Sequence, residues 1–127
     1  MKTIKQKYAI HAPLIKVWEA FVDPAVIDLW GGGPAKMNAK TGTEFSLWNG
    51  DIHGKNTEVI PHKKLVQDWY GGDWPQASRV TFIFSEKNES TNVSLLHEDV
   101  PDKEFKGISD GWKDYYLGPL KKLLEKK

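Results

Sequence analysis

The sequence contains no cysteine, a single arginine, no run of one charge and no long apolar stretch. Without cysteine there is no disulfide framework, no thiolate nucleophile and no Cys-ligated zinc site, which fits a reducing compartment. Of the 18 cationic side chains all but Arg79 are lysine, so the planar fork suited to bidentate phosphate or base recognition is nearly missing. The net charge is +1, and the two signs alternate without a basic stripe or tail, which argues against general nucleic-acid binding. No apolar run approaches the roughly 18 residues of a membrane span. The first dozen residues interleave Lys2, Lys5 and Lys7 with single apolar residues and build no signal-peptide core. The expectation is a cytoplasmic protein, intact from Met1, with no nucleic-acid partner and no membrane span.

Six Trp, four Tyr and five Phe, by contrast, are ample material for a core in a chain of 127 residues, the size of one domain (1–127). Residues 3 to 12 alternate, with Ile4, Gln6, Tyr8 and Ile10 on one face, the period of a half-buried strand. From Pro13 the spacing of Leu14, Val17, Trp18, Phe21 and Val22 predicts a short amphipathic helix. Asp23-Pro24 repeats the start signal for a second helix carrying Val26, Ile27 and Trp30, and Gly31-Gly32-Gly33-Pro34 ends it.

Between Ala35 and Asp99 the chain reads as strands separated by turn signals, including a Gly71-Gly72-Asp73-Trp74-Pro75 loop. Asn49-Gly50 predicts a type I′ hairpin turn, because both central residues of that turn need positive φ. Helical spacing returns from Lys103 to Glu125, a helix of roughly 34 Å. Pro119 lacks an N–H and is expected to kink that helix near Tyr115 or divide it. The order predicts an α+β fold: a curved antiparallel sheet of six to seven strands, two short helices after the first strand, and a long C-terminal helix covering the apolar face.

Several stretches, taken together, resemble one family: Ile10-His11-Ala12-Pro13 through Val17-Trp18-Glu19-Ala20-Phe21 and Asp23-Pro24; Gly42-Thr43-Glu44-Phe45-Ser46-Leu47; Gly50-Asp51-Ile52-His53-Gly54; Ile60-Pro61-His62-Lys63-Lys64-Leu65-Val66-Gln67-Asp68-Trp69; and Gly111-Trp112-Lys113-Asp114-Tyr115-Tyr116. They are similar to the C-terminal domain of activators of heat-shock protein 90 ATPase, a branch of the START-like or SRPBCC superfamily. The resemblance implies the helix-grip fold, with heat-shock protein 90 as an expected partner. It also points to a hydrophobic or aromatic small molecule held between sheet and helix. In two-domain members an N-terminal domain supplies the principal stimulatory contact, whereas this chain opens on the region resembling their C-terminal domain.

Projecting the period-2 pattern places polar residues in phase with apolar inner faces: Glu58 with Ile52 and Ile60, Gln67 with Leu65 and Trp69, His97 with Val93 and Leu95. The expected ligand-binding residues are Tyr8, Trp30, Glu58, Gln67, Trp69, Phe82, His97, Trp112 and Tyr116. The alternative is that these polar groups satisfy one another inside a filled core. Glu58 and His97 are the candidate acid/base pair of an enzymatic reading. His97-Glu98-Asp99 lacks the H-E-x-x-H spacing, and no metal or other cofactor is expected. Trp74 is the candidate partner-binding residue, as anchor or as lid, and Lys121-Lys122 with Lys126-Lys127 form a cationic helix end. A monomer or weak dimer is expected. Leucine at Gly54 or Gly111 is expected to fill any cavity without harming the fold.

Overall fold

The computed structural model describes residues 1–71 and 74–126. Gly72 and Asp73 of the expected loop, and Lys127 of the cationic end, lie outside the described residues. Six strands form one antiparallel sheet: β1 (Lys2–Ile10), β2 (Glu44–Leu47), β3 (Ile52–Ile60), β4 (Lys64–Gly71), β5 (Ser78–Lys87) and β6 (Ser90–Val100). Their order is β1-β6-β5-β4-β3-β2, a meander that the first strand joins beside the last. Helices α1 (Leu14–Val22) and α2 (Pro24–Trp30) follow β1, and the C-terminal helix packs its aromatic residues on the inner face. Among the described residues no helix is long and apolar enough to cross a membrane.

The local signals explain the element ends. Asp23 accepts from the Ala25 N–H at 2.9 Å, with Pro24 at the first helical position. Gly31 takes the left-handed conformation at φ 104°, and the Gly32 N–H returns to the Ile27 carbonyl. Phe21 on α1 then packs edge-on against Phe82 and Phe84, at 4.8 and 5.0 Å between ring centroids.

Two turns differ from expectation. The β2–β3 hairpin closes through four residues, Leu47 facing Ile52, with the left-handed positions at Trp48 (φ 49°) and Asn49 (φ 57°) followed by Gly50 (φ 95°). A two-residue Asn49-Gly50 turn is thus replaced by a longer one that starts at Trp48. The Gly32 carbonyl receives the Trp48 N–H at 2.7 Å and the Pro34 carbonyl receives that of Asn49 at 3.0 Å. The glycine turn after α2 therefore holds a bulky residue in a region that bulky residues avoid.

Pro119 is absorbed without dividing the helix. After a 3₁₀ turn at Asp102–Glu104, α3 (Phe105–Gly111) runs into a π-helical turn at Trp112–Leu117 and then α4 (Gly118–Glu125). The Gly118 N–H reaches the Lys113 carbonyl five residues back, and Pro119 falls in the first turn of α4, where a missing donor costs nothing. The widened turn leaves Trp112 and Tyr116 side by side on the face that meets the sheet, their rings tilted by 45° and 4.8 Å apart between centroids.

Candidate functional site

Inner-face positions of neighbouring strands come into register beneath the helix: Trp69 lies opposite Ser78, and Val80 opposite both Gln67 and His97. A cleft of about 800 Å³ adjoins this layer, lined among others by Trp48, Ile52, Trp69, Trp74, His97, Ile108, Gly111, Trp112 and Tyr116. That volume is in the range of small-molecule sites, and the wall is mostly aromatic. Trp69 and Trp112 stack at 4.7 Å, joining strand to helix.

His97 is fully buried, and its ring is committed at both nitrogens. The Trp112 indole N–H, which can only donate, is 3.0 Å from Nδ1, so Nδ1 is an acceptor and the proton sits on Nε2. The Nε2–H donates to Ser78 Oγ at 2.8 Å, and that hydroxyl donates to the Trp69 carbonyl at 3.2 Å. Burial holds the imidazole down at about pKa 4, from an ordinary 6.5. A neutral ring with both nitrogens occupied locks helix to sheet; it has no free position for proton transfer.

Tyr116 is the opposite case. Its residue is 1% exposed and its hydroxyl has no hydrogen-bond partner among the described residues. Burial pushes the phenol far above its usual range, so it remains a neutral donor. An unpaired buried hydroxyl costs about 1–3 kcal/mol, and its presence needs a reason.

The family model described as Activator of Hsp90 ATPase homolog 1-like protein matches residues 11–125. The chain belongs to the Activator of Hsp90 ATPase homolog 1-like family. It is 29% identical over 120 residues to protein C1711.08 of Schizosaccharomyces pombe, covering 93% of this chain and 36% of that one. It is 25% identical over 108 residues to the human protein named activator of 90 kDa heat shock protein ATPase homolog 1, covering 84% and 32%. The chain thus spans about a third of the length of these curated relatives. Among solved structures, PFC0360w, described as an HSP90 activator from Plasmodium falciparum, superposes with a TM-score of 0.87 at 27% identity, covering 98% of this chain and 96% of that one. The helix-grip expectation is thereby met.

Within this Activator of Hsp90 ATPase homolog 1-like fold, Trp69 and His97 reach the cleft from the strands as the alternation requires, and Trp112 and Tyr116 reach it from the helix. Phe82 and Trp30 are buried behind it: Phe82 meets Trp112 at 5.6 Å, and Trp30 meets Tyr116 at 4.6 Å while donating to the Ala20 carbonyl. Gln67 is fully buried but bound, donating to Asn56 Oδ1 at 2.9 Å and accepting from the Trp69 indole at 2.8 Å. Tyr8 is half-buried beside the helix, away from the cleft, and donates to Gln6 Oε1, while the Gln6 amide donates to the Ser109 carbonyl. For Gln6, Tyr8 and Gln67 the filled-core alternative is the better description.

Glu58 is a correction. An extra residue in β3, Thr57, makes a bulge: Asn56 pairs with Gln67, but Glu58 pairs with Val66. The bulge advances the pleat by one, which turns Glu58 to the outer face and leaves Asn56 buried. There Glu58 lies 3.4 Å from Lys64, in a mixed-charge groove of about 890 Å³ with Lys5, Lys7, Arg79 and Glu98. Glu58 and His97 thus occupy opposite faces of the sheet, and the acid/base pair is not assembled. Gly54 is a second correction. A Cβ there would collide with the backbone carbonyl of Asp68 on β4, so leucine at Gly54 would push β3 away from β4 and fill no cavity. Trp74 folds onto Gly71 at the cleft wall, the position of a lid more than of an outward anchor.

Sequence reasoning missed Trp48, Ser78 and Asn56. Ser78 was legible, being two residues before Val80 and four before Phe82 in the same alternation. Nothing local marks Trp48 as left-handed or Thr57 as a bulge.

Proposed function

We propose that this chain is a non-enzymatic binding protein that holds a hydrophobic, aromatic small molecule in the cleft between sheet and C-terminal helix. The observation that carries the reading is the open, Trp-lined cleft of about 800 Å³ beside a core of buried apolar residues. Apolar rings supply the burial energy and a few polar groups set orientation. Native mass spectrometry of gently purified protein is expected to show a discrete adduct that is lost on denaturation. Gly111→Leu tests the location. A Cβ at Gly111 meets nothing nearer than Tyr115 Cδ2 at 3.8 Å, and the residue lies on the cleft wall. Leucine also favours the helix over glycine by roughly 0.5–1 kcal/mol, so the variant folds while its side chain occupies the cleft. The adduct, and binding of the dye 1-anilinonaphthalene-8-sulfonate, should fall at least tenfold; undiminished binding would sink the reading.

A second reading, regulation of heat-shock protein 90, is supported by the likeness to the solved chain of the Plasmodium falciparum protein described as an HSP90 activator, 96% of which is covered. Trp74 at the cleft rim and the Lys121-Lys122 helix end are the candidate contacts. A heat-shock protein 90 ATPase rate raised severalfold at saturating chain is the expected result; an unchanged rate would dismiss this reading and leave the first intact.

A further inference from the structure

The charges around the cleft narrow the kind of molecule it accepts. The chain as a whole carries 18 lysine and arginine side chains against 17 acidic ones, but they are shared unevenly between the outer groove and the cleft. The groove is bordered by four cations, Lys5, Lys7, Lys64 and Arg79, and two anions, Glu58 and Glu98. On the cleft the balance reverses, with Asp51 and Glu104 set against Lys103. His97 adds no charge there at neutral pH, because burial keeps its imidazole unprotonated. All three charged residues are exposed, and the lysine stem is long enough to carry its ammonium out into water. Among the described residues neither Asp51 nor Glu104 is held in an ion pair.

Each carboxylate is tied by the backbone to the wall of the cleft. The Asp51 N–H donates to the Trp48 carbonyl at 3.2 Å, so one turn supplies both a carboxylate and an indole. Trp48 itself is held at φ 49°, a conformation that bulky residues avoid and that gathers at ligand clamps. Glu104 comes from the other layer, on the 3₁₀ turn that leads into α3, and α3 carries Ile108 and Gly111 along the cleft. Of the aromatic residues on the lining, Trp48 and Trp74 are half-buried and Tyr115 is exposed, so all three keep accessible surface. The face of an aromatic ring carries partial negative charge and attracts a cation within about 6 Å of its centre. Low-dielectric walls lengthen the reach of the two carboxylates in the same direction.

We propose that the cleft selects a planar aromatic cation, such as an N-alkylquinolinium, with its rings against the indoles and its positive charge toward Asp51 and Glu104. The proposal rests on the small-molecule reading above and adds to it the sign of the charge the ligand carries. An aromatic body of either sign still gains from the rings, and charge sets the rank among them.

The test is a matched pair of probes, 1-methylquinolinium and 1-methylnaphthalene, which share one shape and differ by a unit charge. Equilibrium dialysis, with each probe measured by its own absorbance, gives the two affinities. At about 20 mM salt the parent protein is expected to bind the quinolinium about fivefold more tightly than the hydrocarbon. Raising the salt to about 300 mM should weaken the quinolinium about threefold and leave the hydrocarbon nearly unchanged. The double variant Asp51→Asn, Glu104→Gln changes two exposed side chains and should bring the two probes to equal affinity. Gly111→Leu should weaken both probes together. A hydrocarbon bound as tightly as the quinolinium by the parent would overturn the charge selection and leave aromatic binding standing. A preference that persists in the double variant, or quinolinium binding that survives Gly111→Leu, would overturn it as well. Binding of neither probe would overturn both readings. The parent comparison needs no variant, so a poorly folding substitution would not shield the proposal.

Discussion

Lowering the pH from 7.5 to 5.0 is expected to remove about 2 kcal/mol of folding stability, with His97 carrying the loss. The imidazole is held at about pKa 4 in the folded chain against an ordinary 6.5, so between those values the unfolded chain binds a proton that the folded chain refuses. The stabilisation is complete above pH 6.5, declines as the pH falls through that value, and is exhausted near pH 4. The 2.5-unit gap corresponds to about 3 kcal/mol in all, most of it spent by pH 5. The physical cause is burial: Ser78, Trp69 and Trp112 lie against the ring, and none of these three is charged. Both nitrogens are already engaged, so protonating Nδ1 would also turn the Trp112 indole from a donor facing an acceptor into a donor facing a donor. Glu125 does not confuse the window. The His11 backbone N–H and the Lys121 ammonium hold its carboxyl below the ordinary 4.5, so its contribution is lost only at lower pH. Urea unfolding at the two pH values measures the effect, and His97→Gln, which keeps one acceptor and one donor, should flatten the difference even if it lowers both midpoints. An equal fall in parent and variant would remove His97 from the explanation.

Gly118→Ala is expected to destabilise the chain by about 2 kcal/mol, against the rule that alanine favours a helix over glycine by nearly 1 kcal/mol. The rule assumes open space at the Cβ position. At Gly118 that position is taken by the Lys113 carbonyl, the acceptor that closes the π-helical turn. A methyl group there must open the turn, and with it shift Tyr116 and Leu117, both buried against the sheet and α1–α2 layer. Overpacking costs of about 1–3 kcal/mol exceed the propensity gain, so the sign reverses. Gly107 supplies the control: it is an exposed interior position of α3 with nothing within 4 Å of a Cβ, and Gly107→Ala should stabilise by about 0.8 kcal/mol. Thermal melts of the two variants should move in opposite directions. If Gly118→Ala melts higher than the parent, the π turn is not what requires glycine there.

How far the site was legible follows from how local its causes are. Gln67, Trp69, Phe82 and His97 sit where alternation places them, because a strand paired on both sides has no freedom to change face. Glu58 was misplaced by a single residue, since the Thr57 bulge is an agreement between β3 and β4 and leaves no mark in β3 alone. The Pro119 break was anticipated as a kink and found as a π turn, because the choice between them depends on the fit of Trp112 and Tyr116 against the sheet.

The elements, their order and the apolar face they share follow from the chain alone, for these depend on periodicity, caps and turn residues a few positions apart. Which polar groups are spent and which are free was settled only once the sheet and the C-terminal helix came together. Whether His97, Gln67 or Tyr116 finds a partner depends on atoms brought in from distant strands and that helix, and hydrogen bonding is satisfied in space, not along the chain.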